Sequence, residues 1–404
     1  MIESILQKVQ EQIPDHLDGK DRQEHISSVV EKLPLEERQT LHQYFKKIAL
    51  FMRKQDASDI EVGGLANQES IWFRIQGIKR PQSKLGKWPI TYSDILCHSL
   101  INPSQTERLF DRGAVDFSYT VPQNGHLLRW RATLYFDLGH VALNMRAINA
   151  EVYPFTQLGF HQNVARSLSL SHEKQGLILI TGITGSGKST TMDSIVDANN
   201  QSVDGHIVII GDPIEYIHKS HRCIVRHREV GKDVKSFKDG AVQALRQDPD
   251  IIVVGEMRDP ETIMACLEIS DTGHKVFSTL HTGSSVETID RIVAECPPEE
   301  QERVRVRLAD QLRVVVSQKL VPNKKGKRTL AKEVLLVNSS VKAAIRNRNT
   351  HEVYQMISEG GKKGLVTMEQ DLFRLFRRGE IDEDVAIDYS NNKPRIKELM
   401  SKLV

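Results

Sequence analysis

Apolar positions recur at helical spacing through "ISSVVEKL" (26–33) and "LHQYFKKIALFMRK" (41–54), so the polar first fifty residues read as helices. From about residue 58 the period shortens. "DIEVGG" and "IWFRIQGIKR" alternate as strands do. After a helical stretch, "VDFSYTVPQNGHLLRWRATLYF" and "GHVALNMRAI" read as antiparallel strands joined by turns that contain Gly and Asn. "NAEVYPFTQLG" at 149–159, with Pro154, reads as a connector. Past residue 170 the texture changes again. "GLILIT", "HIVIIG", "DIIVVGE" and "KVFSTLH" are short, almost unbroken apolar runs set between helices, as parallel strands covered on both faces are. From Ser339 onward the pattern is mostly helical. The chain therefore divides into a helical N-terminal extension (1–50), an α/β domain (51–150), a linker (151–160) and a parallel α/β domain with C-terminal helices (161–404). No internal repeat or long low-complexity segment interrupts this order.

Composition adds limits. A chain of 404 residues with 39% apolar and 27% charged residues has material for more than one core. Its net charge of +2 implies no global pull toward nucleic acid or membrane. The basic runs "NKKGKR" (323–328) and "RLFRRG" (374–379) read as a solvated loop and a helix end. Cys97, Cys223, Cys266 and Cys296 form no C-x-x-C pair, which disfavours a zinc ribbon or a disulfide framework. The N-terminus lacks a basic start followed by an apolar core, and no apolar run approaches the ~18 residues of a membrane helix. A cytoplasmic protein is expected.

The chemistry begins at "TGITGSGKSTTM" (181–192). Gly182 to Ser189 fits G-x-x-x-x-G-K-[ST] between a predicted strand and a predicted helix, the context a phosphate loop needs. Gly185 and Gly187 let backbone N–H groups turn onto phosphate oxygens, Lys188 can reach the β- and γ-phosphates, and the Ser189 hydroxyl can ligate Mg²⁺. Thr184, Gly185, Ser186, Gly187, Lys188, Ser189 and Thr190 form the expected ATP-binding set. Three more strand ends carry polar groups: Asp212 and Glu215 in "IIGDPIEYIH", Glu256 with Arg258 and Asp259 in "DPDIIVVGEMRD", and His281 beside Thr279 and Thr282 in "TGHKVFSTLHT". Ligands of parallel sheets bind at such ends. His274, by contrast, reads as structural.

In this order and spacing, "TGSGKSTT", "DPIEY", "QALRQDPDIIVVGEMRDPET" and "TGHKVFSTLHT" resemble the secretion and pilus-motor ATPases of the type II/type IV family, over roughly residues 50 to 400. There the four segments are the Walker A, Asp box, Walker B and His box motifs. The resemblance implies an N-terminal PAS-like α/β domain, a RecA-like P-loop ATPase domain with a helical C-terminal part, and a homo-hexameric ring. Assembly and type II secretion members usually carry a four-cysteine zinc module and extra N-terminal domains, so the chain looks more like the PilT-type retraction ATPases. "TIDRIV", "QLRVVVSQKLVP" and "AKEVLLVNSSVKAAIRNRN" point the same way. The departures are Ile183 where Pro is usual, Gly211 where an acidic residue is usual, and "AAIRNRN" (343–349), whose Arg348 and Asn349 stand at usually apolar positions.

By the same resemblance, Glu215 orients the attacking water, Glu256 supports the Mg²⁺ shell with Ser189, and His281 senses the γ-phosphate. Spacing alone does not divide the roles of Glu215 and Glu256. Arg129, Arg131 and Arg146 would face the nucleotide from the N-terminal domain, or else be cross-strand charges on a solvated face. The implied partner is the inner-membrane platform protein of a type IV pilus machine, with the motor peripheral to the cytoplasmic membrane through its partners and with no nucleic acid bound. A secretion or conjugation ATPase, a nucleic-acid translocase and a non-hydrolysing sensor are the competing readings. Basic and aromatic groups suited to stacking a strand do not stand out.

Overall fold

The computed structural model describes residues 2–67, 69–75, 77–123, 126–148 and 151–401. The chain divides into two compact units, residues 1–150 and 151–404.

The first unit opens with three helices, α1 (Ile2–Gln10), α2 (Gly19–Lys32) and α3 (Leu35–Lys54). Its sheet comprises β1 (Ala57–Gly63), β2 (Trp72–Ile75), β3 (Ile78–Pro81), β4 (Ala114–Gln123), β5 (His126–Asp137) and β6 (His140–Ala147), in the order β3-β2-β1-β6-β5-β4. Every neighbouring pair is antiparallel. Helices α4 (Ile90–His98) and α5 (Pro103–Arg112) fill the long connection between β3 and β4. A helix opening on Asn102 with Pro103 behind it satisfies its first amides through a reciprocal cap with Gln105.

The first fifty residues are built into this core. Leu6, Val9, Ile26, Leu41, Phe45, Ile48 and Met52 are buried in one cluster with Ile60, Phe73, Trp130 and Met145 of the sheet. Buried Asp94 on α4 ties them down. It accepts hydrogen bonds from Arg22 Nη1 at 2.9 Å, Gln23 Nε2 at 3.0 Å and the Val141 amide at 3.1 Å. A buried carboxylate with that many donors, one of them charged, is stable where a lone one is not.

The second unit is a seven-stranded sheet of β7 (Gly176–Thr181), β8 (Gly205–Gly211), β9 (Cys223–Glu229), β10 (Ile251–Val254), β11 (Lys275–Leu280), β12 (Leu312–Pro322) and β13 (Arg328–Leu336). The order is β13-β12-β7-β11-β10-β8-β9, parallel except for the edge strand β13. The unbroken apolar runs follow from burial on both faces. Leu177 and Leu179 pack into one cluster and Ile178 and Ile180 into the other, and Ile251–Val254 alternate in the same way.

Helix α6 (Gln162–Leu168) and α7 (Lys188–Ser202) cover one face. The other carries α8 (Phe237–Ala244), α9 (Pro260–Asp271), α10 (Ser285–Ala294), α11 (Gln301–Gln311), α12 (Ser339–Arg346) and α13 (His351–Glu359). A further cluster joins α14 (Met368–Arg377), α15 (Glu383–Tyr389) and α16 (Lys393–Ser401) to Val321 and Ala331 of the β12–β13 hairpin. This is the parallel α/β architecture with C-terminal helices that the resemblance implies. Residues 151–160 pack with this unit, where Leu158 is buried and the Phe155 and Phe160 rings lie 5.9 Å apart.

Candidate functional site

Strand order places the site. β7, β11, β10 and β8 are consecutive neighbours and parallel, so their carboxyl ends stand in a row. From them emerge the Gly182–Gly187 loop, His281, Glu256 and the Asp212–Glu215 turn. The loop is closed from below by β12. A Cβ on Gly182, whose φ is +147°, would lie 2.4 Å from both the Gln318 carbonyl oxygen and Ser186 Oγ, so only glycine fits. Gln318 Nε2 donates to the Ser186 carbonyl at 2.8 Å. Ile183 is 64% exposed, so the position usually held by Pro points into solvent. Thr184, Gly185 and Thr190 are exposed and Ser189 is half-buried, whereas Ser186 is buried and its hydroxyl has no hydrogen-bond partner. Gly211 is buried, and a Cβ there would lie 2.8 Å from Ile214 Cδ1.

Lys188, first in α7, folds back on the loop: its Nζ donates to the Gly182 carbonyl at 2.7 Å and lies 3.5 Å from His281 Nδ1. On the far side of the ring, His281 Nε2 is 3.3 Å from Glu256 Oε1, and Arg258 Nε is 2.7 Å from Glu256 Oε2. Burial lowers the Lys188 pKa, while the charges of Glu256 and Glu215 oppose that shift. Burial, then the charge of Lys188, pushes the His281 imidazole down, which favours a neutral ring. The structure thus gathers Lys188, Glu215, Glu256 and His281 at one place. A cavity of about 300 Å³ opens beside Glu256 and His281, lined also by Arg258, Arg291 and Glu295. A second, of about 320 Å³, lies along Gly187, Thr190, Thr191 and Gln318 and is lined by Arg328, Lys332, Arg374 and Arg378. Three of those cations come from the two runs read as a loop and a helix end, so these runs are not simply solvated.

Arg129, Arg131 and Arg146 belong to the first unit and are grouped there on one face of its sheet. Arg131 lies opposite Arg146 across β5 and β6, and Arg146 opposite Asp59 across β6 and β1. Arg146 Nε meets buried Asp59 at 2.8 Å, which also takes Arg74 Nε at 3.4 Å. Arg131 Nη2 is 3.9 Å from Asp116, and Arg129 is buried with Nε 3.4 Å from Thr120 Oγ1.

Sequence reasoning missed His218 and Asp193. His218, three residues after Glu215, is buried with Nε2 3.1 Å from Asp193 Oδ1 on α7, and its ring stacks parallel to His227. That contact pins the segment after Glu215 to the helix that starts with Lys188. The one available signal was an acidic residue one turn into that helix. His274 lies at the other end of β11 from His281 and meets Thr272 Oγ1 at 3.0 Å, as a structural residue would.

A family model described as "Type II/IV secretion system protein" matches residues 35–371. The chain is 35% identical over 343 residues to a type IV pilus retraction ATPase, PilT, of Pseudomonas aeruginosa, covering 84% of this chain and 96% of the relative. It is 36% identical over 291 residues to a twitching motility protein of Neisseria gonorrhoeae, covering 71% of this chain and 76% of the relative. Among solved structures, a pilus retraction motor PilT with bound ADP superposes with a TM-score of 0.77 at 38% identity, covering 87% of this chain and 98% of that one.

Proposed function

Because the chain belongs to the type II/IV secretion system protein family, we propose that it is a hexameric motor that hydrolyses ATP to retract a type IV pilus and so drives twitching motility. The observation that carries the ATPase part is the convergence of Lys188, Glu215, Glu256 and His281 on one glycine-moulded loop. The retraction part rests on the likeness to the retraction and twitching proteins along most of the chain.

The residues suit a nucleotide with its metal. The cradle admits no side chain at Gly182, the buried Ser186 hydroxyl lacks a partner, and Ser189 and Glu256 offer hard oxygen ligands of the kind Mg²⁺ takes. Bound there, Mg²⁺ would supply charge neutralisation at the phosphate oxygens. Lys188 leaves the Gly182 carbonyl for the β- and γ-phosphates, and the amides of Thr184 to Thr190 line the phosphate path. Glu215 holds the attacking water and accepts its proton. His281, held between Lys188 and Glu256, is the proposed sensor of the γ-phosphate. The cavity along Thr190 and Thr191 takes the ribose and base. Arg129, Arg131 and Arg146 are the first unit's proposed γ-phosphate ligands; in that role, ATP binding would favour one arrangement and hydrolysis would release it.

The platform protein in the inner membrane is the proposed receiver of the stroke; among the described residues, no helix is long and apolar enough to cross a membrane. Steady-state ATP turnover with and without DNA tests the enzyme. Wild-type turnover that does not rise with DNA, and none in Lys188→Ala, supports the reading. Lys188→Ala turnover within tenfold of wild type contradicts it, and stimulation by DNA favours a translocase.

A further inference from the structure

The His281 ring is aimed by the loop that carries it, and that loop has no secondary structure of its own until α10 begins at Ser285. Its backbone is held by side chains from elsewhere. Arg291 Nη1, from α10, donates to the His281 carbonyl at 3.2 Å. The Gly283 amide donates to Glu287 Oε2 at 2.6 Å, and the Gly283 carbonyl accepts from Asn391 Nδ2 at 3.1 Å. Asn391 comes from the turn between α15 and α16, 108 residues further along the chain.

Asn391 is itself held on two sides. Its Oδ1 accepts from Lys319 Nζ at 2.6 Å, and the same ammonium donates to the Tyr389 carbonyl at 2.7 Å. An amide that must donate to a carbonyl and accept from an ammonium has one orientation only. The backbone of the turn is fixed on fully buried Glu369, whose Oε1 takes the amides of Asn391 at 3.0 Å and Asn392 at 2.8 Å, and whose Oε2 takes Tyr354 Oη at 3.0 Å. Lys319 directly follows Gln318 on β12. Two adjacent residues therefore brace the two sides of the site: Gln318 holds the phosphate loop at Ser186, and Lys319 holds Asn391, which holds the His281 loop.

We propose that Asn391 is a positioning residue for ATP hydrolysis: from the C-terminal turn it fixes the Gly283 carbonyl and so aligns His281 with Lys188 and Glu256. This rests on the reading of His281 as part of the hydrolytic site. The link runs both ways. A movement of the C-terminal helices changes the aim of His281, and an engaged His281 restrains those helices. Reach is what makes so small a contact matter, since misplacement of a catalytic group by about 1 Å costs up to about 100-fold in rate.

Asn391 is exposed, so its replacement leaves folding intact, and the variants separate its two hydrogen bonds. Asn391→Asp keeps the acceptor for Lys319 and loses the donor to Gly283; Asn391→Ala loses both. Both are expected to lower kcat about tenfold, with KM within about twofold and melting within about 2 °C of wild type. In a His281→Ala background, where turnover is already slow, Asn391→Asp should cost nothing further, which is the signature of residues acting as one. Wild-type kcat in Asn391→Asp while His281→Ala is slow overturns the proposal alone. A kcat loss that tracks a fall in melting temperature, or that adds fully to His281→Ala, also overturns it. Wild-type kcat in His281→Ala removes the underlying reading and the proposal with it.

Discussion

Glu215 and Glu256 are chemically alike and both lie close enough to Lys188 to oppose the fall in its pKa that burial causes, yet their surroundings differ. Glu256 has one oxygen on Arg258 and the other on His281. Those two contacts fix the orientation of its carboxylate. Glu215 is half-buried at the start of a segment pinned by His218, which suits a group that must hold one water in one place. Glu215→Gln is expected to bind ATP nearly as wild type while hydrolysis falls about 10²–10⁴-fold, read by nucleotide binding beside single-turnover hydrolysis. Normal turnover in Glu215→Gln with a loss in Glu256→Gln would exchange the two roles. Of the arginines, Arg131 is the sharpest test, because its ion pair at 3.9 Å is half-exposed and contributes little to stability. As a finger on the γ-phosphate it would be worth roughly 10³–10⁵ in rate. Arg131→Ala should therefore lose turnover with an unchanged circular dichroism spectrum, and full activity would return it to the solvated face.

Two elements hold side chains whose burial decides their role, Ile345 in α12 and Lys275 in β11. The "AAIRNRN" stretch (343–349), which departs from the family pattern at Arg348 and Asn349, spans the end of α12 and the turn after it. The structure divides it into a buried and an exposed part. Ile345 is fully buried in the core cluster, whereas Arg346 reaches Asp310 and Arg348, at φ +62°, sits 2.8 Å from Glu302 on α11. Ile345→Ala should thus destabilise by about 2–5 kcal/mol through the cavity it leaves, while Arg348→Ala should cost under about 1 kcal/mol. Thermal melts separate the two. In β11, Lys275 is fully buried with Nζ at 2.7 Å from the Ser167 carbonyl and 2.8 Å from that of Glu173, just past α6. Burial lowers its pKa from 10.5 to about 7, with Glu173 opposing. The unfolded chain then binds the proton more tightly than the folded one between these values. The lysine costs nothing above pH 10.5, and its cost grows as pH falls toward about 7. Wild-type stability relative to Lys275→Met should therefore rise with pH across that window, by up to about 1.4 kcal/mol per unit. A difference flat in pH would mean that the carbonyls keep the proton in place.

At the scale of the molecule, what was legible followed from periodicity and motif. The near-continuous apolar runs of β7, β8, β10 and β11 announced strands buried on both faces, and the four motif segments announced which strand ends would meet. What escaped the sequence depends on partners remote in the chain. Edge strand β9 reads "CIVRHRE", too polar to declare itself until β8 is beside it. The first fifty residues looked like an extension, because nothing local tells that Arg22 and Gln23 will meet Asp94 some seventy residues on. Arg53 was equally hidden: from α3 its guanidinium donates to the Ile148 carbonyl and lies over the Trp130 ring, next to the strand residue Arg129. These helices therefore buttress the arginine face, and a chain lacking residues 1–50 should lose the first unit's fold rather than a loose appendage. As a retraction motor, the protein spends ATP hydrolysis on pulling. The most direct measurement replaces the native protein with Glu215→Gln in its own cells and scores surface pili and surface movement together. Abundant pili on cells that do not move is the result expected of a stalled retraction motor. Bald cells would make it an assembly motor, and normal pili with normal movement would contradict a role in the pilus altogether.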